Sequence, residues 1–318
     1  MSSYKEALYS KGEKHTTDVF VVCGQRIIVE GRLIRMAHLK DEYETEICDP
    51  ESFIKEVHNS GCRADIFTFW DRVPTHTSHP YLCQKQTQAL LPVDSYELWW
   101  KSLDRRIRKI VRRSIKLGVE VRVVGLDDEL LRGIKKIFDE TPIKRNRPFW
   151  HYNRSIEDLR AALEQDLQTS EFIVAFYRGE CIGFIKMIYR DKFADPVLFI
   201  SKMEHLDKCP NNLLIARAVE RCEAKNLPFI HYSDWRLGTH GDFLRRNGFK
   251  KFDVNRYYVP LTMRGKILLC LGAHKRVWDR LPEKVKIAIL GARGRWYRLV
   301  FWLTGKNGEP EPSSAANE

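Results

Sequence analysis

The sequence contains no C-x-x-C motif, although it has eight cysteines. They are scattered, at Cys23, Cys48, Cys62, Cys83, Cys181, Cys209, Cys222 and Cys270. This spacing matches no standard zinc pattern, so we expect reduced thiols in a cytoplasmic protein without a metal site. The polar N-terminal stretch lacks the apolar core of a signal peptide, and no apolar run approaches the roughly 20 residues of a membrane span.

Acidic residues are fewer than basic ones. The 318 residues include 42 Asp and Glu against 54 Lys and Arg, which gives a formal net charge of +12. This surplus favours an anionic partner: a nucleic acid, a lipid surface, an acidic carrier protein or a phosphorylated cofactor. With 43% hydrophobic and 30% charged residues, the composition is globular and excludes a disordered chain.

The hydrophobic pattern predicts an α/β protein with a mixed sheet. In the first half it predicts strands at 18–23, 26–34 and 64–70, and one long helix from 94 or 95 to 117. In the second half two helices precede three strands, and then helix and strand alternate to residue 260. Asp195-Pro196 is expected to break the chain before the third of these strands, at 197–203. This order is not the regular alternation of a Rossmann sheet.

Composition divides the chain into four predicted segments. A reduced N-terminal half takes residues 18–124, a fuller half takes 125–262, a basic helical tail takes 263–306, and 307–318 form a disordered end. Residues 264–306 hold eleven Lys and Arg against two acids, interleaved with aromatic side chains.

Three segments resemble the FemAB-like branch of the GNAT acyltransferases. Residues 91–121 lead from an apolar strand into a basic helix that ends at Gly118. Residues 210–234 (PNNLLIARAVERCEAKNLPFIHYSD) resemble the family's "p-x-x-L-L" helix and a strand ending in Ser or Asp. Residues 241–261 resemble its short helix and closing aromatic strand, with Leu244-Arg245 where Phe-Lys is usual. The resemblance implies a GNAT-like mixed sheet in which a truncated half precedes a fuller one.

One loop departs from the common GNAT pattern. A Gly-rich loop usually follows the third strand and offers its amides to the pyrophosphate of acyl-CoA. Here residues 205–212 (HLDKCPNN) contain no glycine, and Pro210 has no amide hydrogen. The FemAB-like branch often lacks this loop, so the departure agrees with that branch and weakens acyl-CoA as the donor.

Candidate catalytic residues follow the fourth strand of the main half. Asp234 ends that strand, where side chains line the ligand crevice of an α/β sheet, and could accept a proton from an attacking amine. His240 is the alternative base. Strand alternation places Tyr232 on the face of Asp234. The competing interpretation is a turn aspartate and a solvated loop histidine.

The third strand and its loop hold the candidate cofactor-binding residues: Lys202, Met203, Glu204, Lys208, Asn211 and Asn212. Lys202 and Glu204 share one face of the strand, and a charged pair there predicts either a wet cleft or the end of the sheet. In the family resembled here, acyl-CoA lies against this strand, and Lys208 could meet a phosphate.

Candidate acceptor-binding residues lie in two loops. The connection at 141–152 offers cations and flat aromatic faces that suit a sugar, a nucleotide or an anionic acceptor, and in the fold resembled it borders the acceptor pocket. Trp235 and Arg236 directly follow Asp234. The set is Arg145, Arg147, Trp150, His151, Tyr152, Trp235 and Arg236.

Two basic segments have open interpretations. Residues 101–116 carry eight Lys and Arg and one acid, which fits a solvated helix face or an RNA-binding face. The tail at 264–306 could lie on an anionic membrane, pack on the main domain or dock an acyl carrier protein. We expect a cytoplasmic protein, peripheral on the inner membrane face if the tail binds lipid.

These observations predict an N-acyltransferase that moves an acyl group from an activated thioester, acyl-CoA first, to an amine. The acceptor would be a sugar, an amino acid or a cell-envelope precursor, either a small molecule or lipid-linked. Two alternatives stay open: a Fem-type aminoacyltransferase that uses aminoacyl-tRNA, and a non-catalytic scaffold that associates with membrane or RNA.

Overall fold

Strands and helices follow one another irregularly in the computed structural model, which describes residues 3–10, 13–40, 42, 47, 49–74, 78–144, 147–235, 238–274 and 281–304. The strands are β1 (Ser3–Ser10), β2 (Glu13–Val22), β3 (Gln25–Glu30), β4 (Met36–Leu39), β5 (Ile66–Trp70), β6 (Leu82–Pro92), β7 (Val119–Val124), β8 (Ile143–Lys144), β9 (Arg147–Pro148), β10 (Ser170–Tyr177), β11 (Glu180–Tyr189), β12 (Ala194–Ser201), β13 (Phe229–Asp234) and β14 (Lys250–Pro260). The helices are α1 (Pro50–Asn59), α2 (Tyr96–Ser102), α3 (Arg105–Lys116), α4 (Asp128–Phe138), α5 (Ile156–Glu164), α6 (Pro210–Ala224), α7 (Gly238–Arg246), α8 (Met263–Cys270) and α9 (Glu283–Thr304).

Contacts divide the chain into two units. The first takes Met1–Gln86 and Asp253–Pro282, and the second takes Thr87–Phe252 together with α9. Helix α3 and strand β7 therefore lie in the same unit as β10 to β13, whereas the sequence placed them in the N-terminal half. The predicted boundaries at 124 and 262 stay a prediction, and the predicted end at 307–318 lies outside the described residues.

The first unit is built on a mixed sheet. Strands β1 to β4 form antiparallel neighbours, β4 pairs with β5 in parallel, and β5 pairs antiparallel with β14. Helix α1 adds Phe53, Ile54 and Val57 to a core that also contains Phe67 and Tyr257. The Asp49 side chain caps α1 by accepting the amide of Ser52.

The second unit has a sheet in the order β6, β13, β12, β11, β10, β7. Alternate residues of β10 enter two separate cores: Ile173 and Ala175 pack with α2, α3 and α6, whereas Phe172 and Val174 pack with α4 and α5. Because side chains alternate across a strand, these two helix groups cover opposite faces of the sheet. The predicted α/β class with a mixed sheet and a helical tail is confirmed.

Two local predictions were wrong. The long helix is divided at Leu103, which is extended and buried, and Asp104 then caps α3 by accepting the amide of Arg106. Strand β12 also runs through Asp195-Pro196 instead of starting after it. A register shift opposite Lys186 and Met187 admits the proline, because a bulge tolerates a residue without an amide hydrogen.

Among the described residues, none of the helices combines the length and apolarity that crossing a bilayer requires.

Candidate active site

The parallel strands β12 and β13 pair at one register position only, and we call the region between their carboxyl-terminal parts the cleft. Their register pairs Ala194 with Ile230 near the start of each strand. Beyond this pair β12 follows β11 to Ser201, whereas β13 follows β6 to Asp234. Both carboxyl ends therefore lie at one edge of the sheet, which is where ligands bind in open α/β sheets.

Asp234 is fixed at this edge by the neighbouring strand β6. Its carboxylate is exposed and accepts a hydrogen bond of 2.7 Å from Nε2 of Gln88, a fully buried residue of β6. The next amide, of Trp235, donates to the Thr87 carbonyl. Ser233 adopts a left-handed backbone with φ of 69°, at a register shift between β13 and β6. This conformation is costly for a residue with a Cβ, and such strain is typical of functional sites.

Tyr232 and His240 are brought together, with ring centroids 5.4 Å apart. Tyr232 also contacts the rings of Phe199 and Phe249. We placed Tyr232 on the face of Asp234 because side chains alternate regularly along a strand. The left-handed backbone of Ser233 interrupts that alternation. The catalytic roles of Asp234, His240 and Tyr232 stay predictions.

The backbone amides after β12 are already bonded within the protein. The carboxylate of Glu140 accepts the amides of Met203 at 2.7 Å and Glu204 at 3.0 Å. The amide of Lys202 donates to the Ile182 carbonyl, and that of Lys208 to the His205 carbonyl. A pyrophosphate at the amides of Met203 and Glu204 would therefore have to displace the Glu140 carboxylate.

Lys202 pairs with Glu180, the first residue of β11, and not with Glu204, the partner that the sequence indicated. The other Glu180 oxygen lies 3.2 Å from Nε2 of His205, which is buried. The hydrogen bond from Lys202 is the main cause that lowers the pKa of Glu180. The Lys208 ammonium lies 4.9 Å from the centre of the Tyr177 ring. Three cationic or titratable side chains thus gather just before α6.

Asn211 and Asn212 bind protein groups. Oδ1 of Asn211 accepts the hydroxyl of Ser201 at 2.6 Å, which joins the start of α6 to the end of β12. Nδ2 of the buried Asn212 donates to Oδ1 of Asn247 at 2.8 Å, and the indole of Trp99 donates to the Asn247 carbonyl at 3.0 Å. Their cofactor-binding role stays a prediction.

The loop that includes β8 and β9 borders the end of β12. The Lys144 ammonium lies 3.3 Å from the Ser201 carbonyl and 5.2 Å from the centre of the Phe149 ring. Trp150 is 48% exposed, and the guanidinium of Arg154 lies 5.2 Å from its ring centre. An exposed indole beside a cation is a surface on which a flat or anionic group can bind.

The other predicted acceptor residues differ in exposure. Arg147 is exposed, and Tyr152 and Trp235 are half-buried. Arg145 and Arg236 lie outside the described residues. Their binding roles stay predictions.

His151 is enclosed by aromatic side chains. It is 6% exposed and packs between Phe138 and Trp150, at ring distances of 4.3 and 3.6 Å. Burial, assisted by the nearby charges of Arg154 and Lys144, lowers the pKa of His151 to about 3. It is therefore neutral at physiological pH, and the structure gives it a packing environment.

Helix α3 forms a basic surface on the sheet face opposite α4. Its twelve residues include seven Lys and Arg and no acid. Ile107 and Val111 are buried, whereas all the cations except half-buried Arg108 are exposed. The helix packs against α6, which begins at the edge of the cleft. It therefore presents a cationic surface on the unit that contains the cleft.

Sequence reasoning missed Gln88, Glu140, Lys144 and Glu180. Each reaches the edge from an element distant in the chain, and none stands in a motif that marks it. Within the part of the chain that the structure describes, no group of three or more His, Cys, Asp or Glu side chains could hold a metal ion.

No protein-family model and no curated protein sequence matches the chain. Solved structures do match it. The C-terminal domain of a protein described as a lysylphosphatidylglycerol synthetase, from Agrobacterium fabrum, aligns with a TM-score of 0.55 at 13% identity, over 80% of this chain and 87% of that chain. FemX aligns with 0.53 at 10% identity, over 84% and 90%. L-PGS from Bacillus licheniformis aligns with 0.51 at 12% identity, over 80% and 88%.

The fold is therefore of the GNAT type, and specifically FemAB-like, as the three sequence segments indicated. At these identities the likeness establishes the fold alone.

Proposed function

We propose that this protein is an acyltransferase that moves an aminoacyl group from tRNA to an amine on a small or lipid-linked acceptor. The observation that carries the proposal is helix α3, where seven exposed or half-exposed cations without an acid lie on the same unit as the cleft. Such a surface suits a phosphate backbone, because each neutralised phosphate releases counterions. Two of the proteins with this fold are FemX and L-PGS.

The cleft supports a tRNA donor over a thioester donor. The amides of Met203 and Glu204 are bonded to Glu140, and the loop has no glycine that would let a pyrophosphate approach. A tRNA can instead bind through phosphate contacts along α3, far from the reacting atoms. Its 3′ end then needs few backbone amides in the cleft for binding.

The chemistry would be direct transfer. The acceptor amine attacks the ester carbonyl of the aminoacyl group, the amide bond forms and the ester C–O bond breaks. Asp234, held by Gln88, or His240 takes the proton from the attacking nitrogen and passes it to the tRNA 3′ oxygen, which leaves as a hydroxyl group. The Lys144 ammonium, in contact with the Ser201 carbonyl, supplies positive charge near the developing oxyanion.

The acceptor would bind at the β8–β9 loop. The exposed Trp150 ring and its Arg154 neighbour suit a headgroup that combines a flat or apolar part with an anion. Asp234 then needs to lie within hydrogen-bond reach of the acceptor nitrogen.

The first test measures tRNA binding as a function of salt. Arg106→Ala/Arg113→Ala removes two exposed cations from α3, and Arg132→Ala/Lys136→Ala removes two exposed cations from α4 on the opposite face. We expect the α3 variant to reduce the slope of log K against log salt by about 1.5, since each lost phosphate contact removes roughly 0.7–0.9. The α4 variant should match wild type; equal effects of the two variants would reject a specific tRNA surface.

Transfer is then assayed with aminoacyl-tRNA or acyl-CoA as donor and amine acceptors, with Asp234→Asn as the catalytic variant. Transfer from tRNA that falls by about 10² or more in the variant fits proton transfer by Asp234. Transfer from acyl-CoA alone would reject the tRNA donor. Absence of transfer from both donors would favour a non-catalytic scaffold.

A thioester donor is the second candidate, supported by the cluster of Lys202, His205 and Lys208 before α6. It predicts that acyl-CoA at about 100 times its dissociation constant stabilises the protein by about 2.7 kcal/mol. It also predicts that Lys208→Ala removes this stabilisation.

A further inference from the structure

Helix α9 has two different apolar faces. One is turned to the protein: Gly294 is buried, and Leu290, Tyr297 and Phe301 are half-buried. These residues are three or four apart and so share one side of the helix. The helix contacts β9 within the second unit. This inner face accounts for the attachment of α9 to its unit.

The outer face is apolar and exposed. Its members are Val285, Ile289, Trp296, Leu299 and Leu303, which are 40%, 41%, 62%, 47% and 66% exposed. At about 100° per residue they fall within an arc of about 80°, along the whole length of the helix. A contiguous apolar stripe of this kind marks an interaction surface, whereas a single exposed leucine does not.

Positive charges border the outer face. On the same helical geometry, Lys284 and Arg295 lie along one border, and Lys286 and Arg293 lie along the other. With Arg298 and Glu283, α9 has five basic residues and one acidic residue. Lys284, Arg295 and Arg298 are exposed. Trp302, 78% exposed, stands on the Lys284 border.

An apolar stripe between cations fits an anionic lipid surface. The stripe reaches the acyl boundary while the exposed cations of Lys284 and Arg295 meet headgroup phosphates, and indole rings are enriched at that depth. A second copy of the chain would place the same cations against each other, which costs free energy. Charge complementarity therefore favours lipid as the occupant.

We propose that the outer face of α9 binds anionic bilayers, with the helix lying along the surface. Because α9 contacts β9, binding would bring the loop that includes Trp150 to the headgroups. A lipid headgroup amine would then be the acceptor. This acceptor assignment rests on the proposed function, whereas the vesicle binding does not.

The test is flotation of the full-length protein with vesicles of phosphatidylcholine alone or with 30% phosphatidylglycerol. Leu299→Ser/Leu303→Ser should reduce binding to the anionic vesicles at least tenfold, because it removes two apolar anchors. Lys284→Ala/Arg295→Ala should reduce it about 25-fold, since each basic residue contributes roughly fivefold at such a surface. On vesicles of pure phosphatidylcholine, Lys284→Ala/Arg295→Ala and wild type should bind equally.

Leu98→Ser/Ile115→Ser is the matched control. It replaces two aliphatic side chains that are 57% and 56% exposed on α2 and α3 of the same unit. We expect it to bind vesicles like wild type, and thermal unfolding confirms that each variant is folded. Equal losses in the control and in the α9 variant would overturn the proposal.

Two further outcomes would also overturn it. One is the absence of wild-type binding to anionic vesicles. The other is a dimer in sedimentation analysis that Leu299→Ser/Leu303→Ser converts to monomer, since a second copy would then cover the stripe. Binding to vesicles without transfer activity would reject the proposed function and leave the membrane surface standing.

Discussion

Glu171 should make the second unit sensitive to acid. This residue of β10 accepts two hydrogen bonds from Arg221, at 2.9 and 2.7 Å, and one of 2.8 Å from the Tyr189 hydroxyl. The Lys225 ammonium lies 3.2 Å away. Burial alone would raise the pKa of Glu171, but these hydrogen bonds and charges outweigh it and lower the pKa from 4.5 to about 2.

The sign and size of the effect follow from this lowered pKa. A carboxyl whose pKa is lower in the folded than in the unfolded chain stabilises the protein above the unfolded value and loses that contribution as pH falls. The difference from 4.5 to about 2 corresponds to about 3 kcal/mol at neutral pH. The cluster is partly exposed, so screening by solvent reduces the contribution to about 2 kcal/mol. It should disappear between about pH 5 and pH 2.

The assay is urea unfolding of wild type and Glu171→Gln at pH 7 and pH 3. Wild type should lose about 1 to 2 kcal/mol more than the variant over this interval, because glutamine does not titrate. Glu223→Gln, at an exposed position on α6, is the control and should behave like wild type. Identical pH dependence of wild type and Glu171→Gln would refute the reasoning.

Two more variants test the edge of the sheet. Gly183→Ala places a Cβ that overlaps the Ser201 side chain, 2.9 Å from the Ser201 Cβ. We expect this variant to lose about 1–3 kcal/mol of unfolding free energy in urea and to have reduced transfer activity. Gly125→Ala is the control, since its new Cβ meets open space, and it should change neither quantity. Ser233→Val should destabilise the protein by about 1–2 kcal/mol or more and reduce transfer, whereas Ser233→Gly should keep both, because glycine tolerates the left-handed backbone. Normal activity of Ser233→Val would show that this conformation does not position Asp234.

The features that could be predicted from the sequence are those that depend on short-range patterns of residues. The strand predicted at 64–70 corresponds to β5, and of the two positions predicted for a helix start, 94 or 95, it is Ser95 that caps α2. These features follow from a few adjacent residues, which is why propensity and periodicity were enough.

The remainder depends on residues far apart in the chain. The bulge that admits Pro196 is a property of the β11–β12 register, and the pairing of Lys202 with Glu180 needs the start of β11 to meet the end of β12. Glu140 lies 63 residues from the first amide that it accepts. No local pattern can contain such partners. The strands that carry the candidate site could therefore be predicted from the sequence, whereas the contacts between its side chains could not.

The single register pair between β12 and β13 has a mechanical consequence. Beyond that pair, the end of β12 is held by α6, since Ser201 bonds to Asn211, and α6 is held in turn by the bond from Asn212 to Asn247. Opening the seam near Ser201 and Asp234 therefore breaks no strand ladder beyond that pair. This seam is therefore the place where the sheet of the second unit could widen with the loss of a single ladder pair, while the hydrogen-bonded strands on either side keep their register.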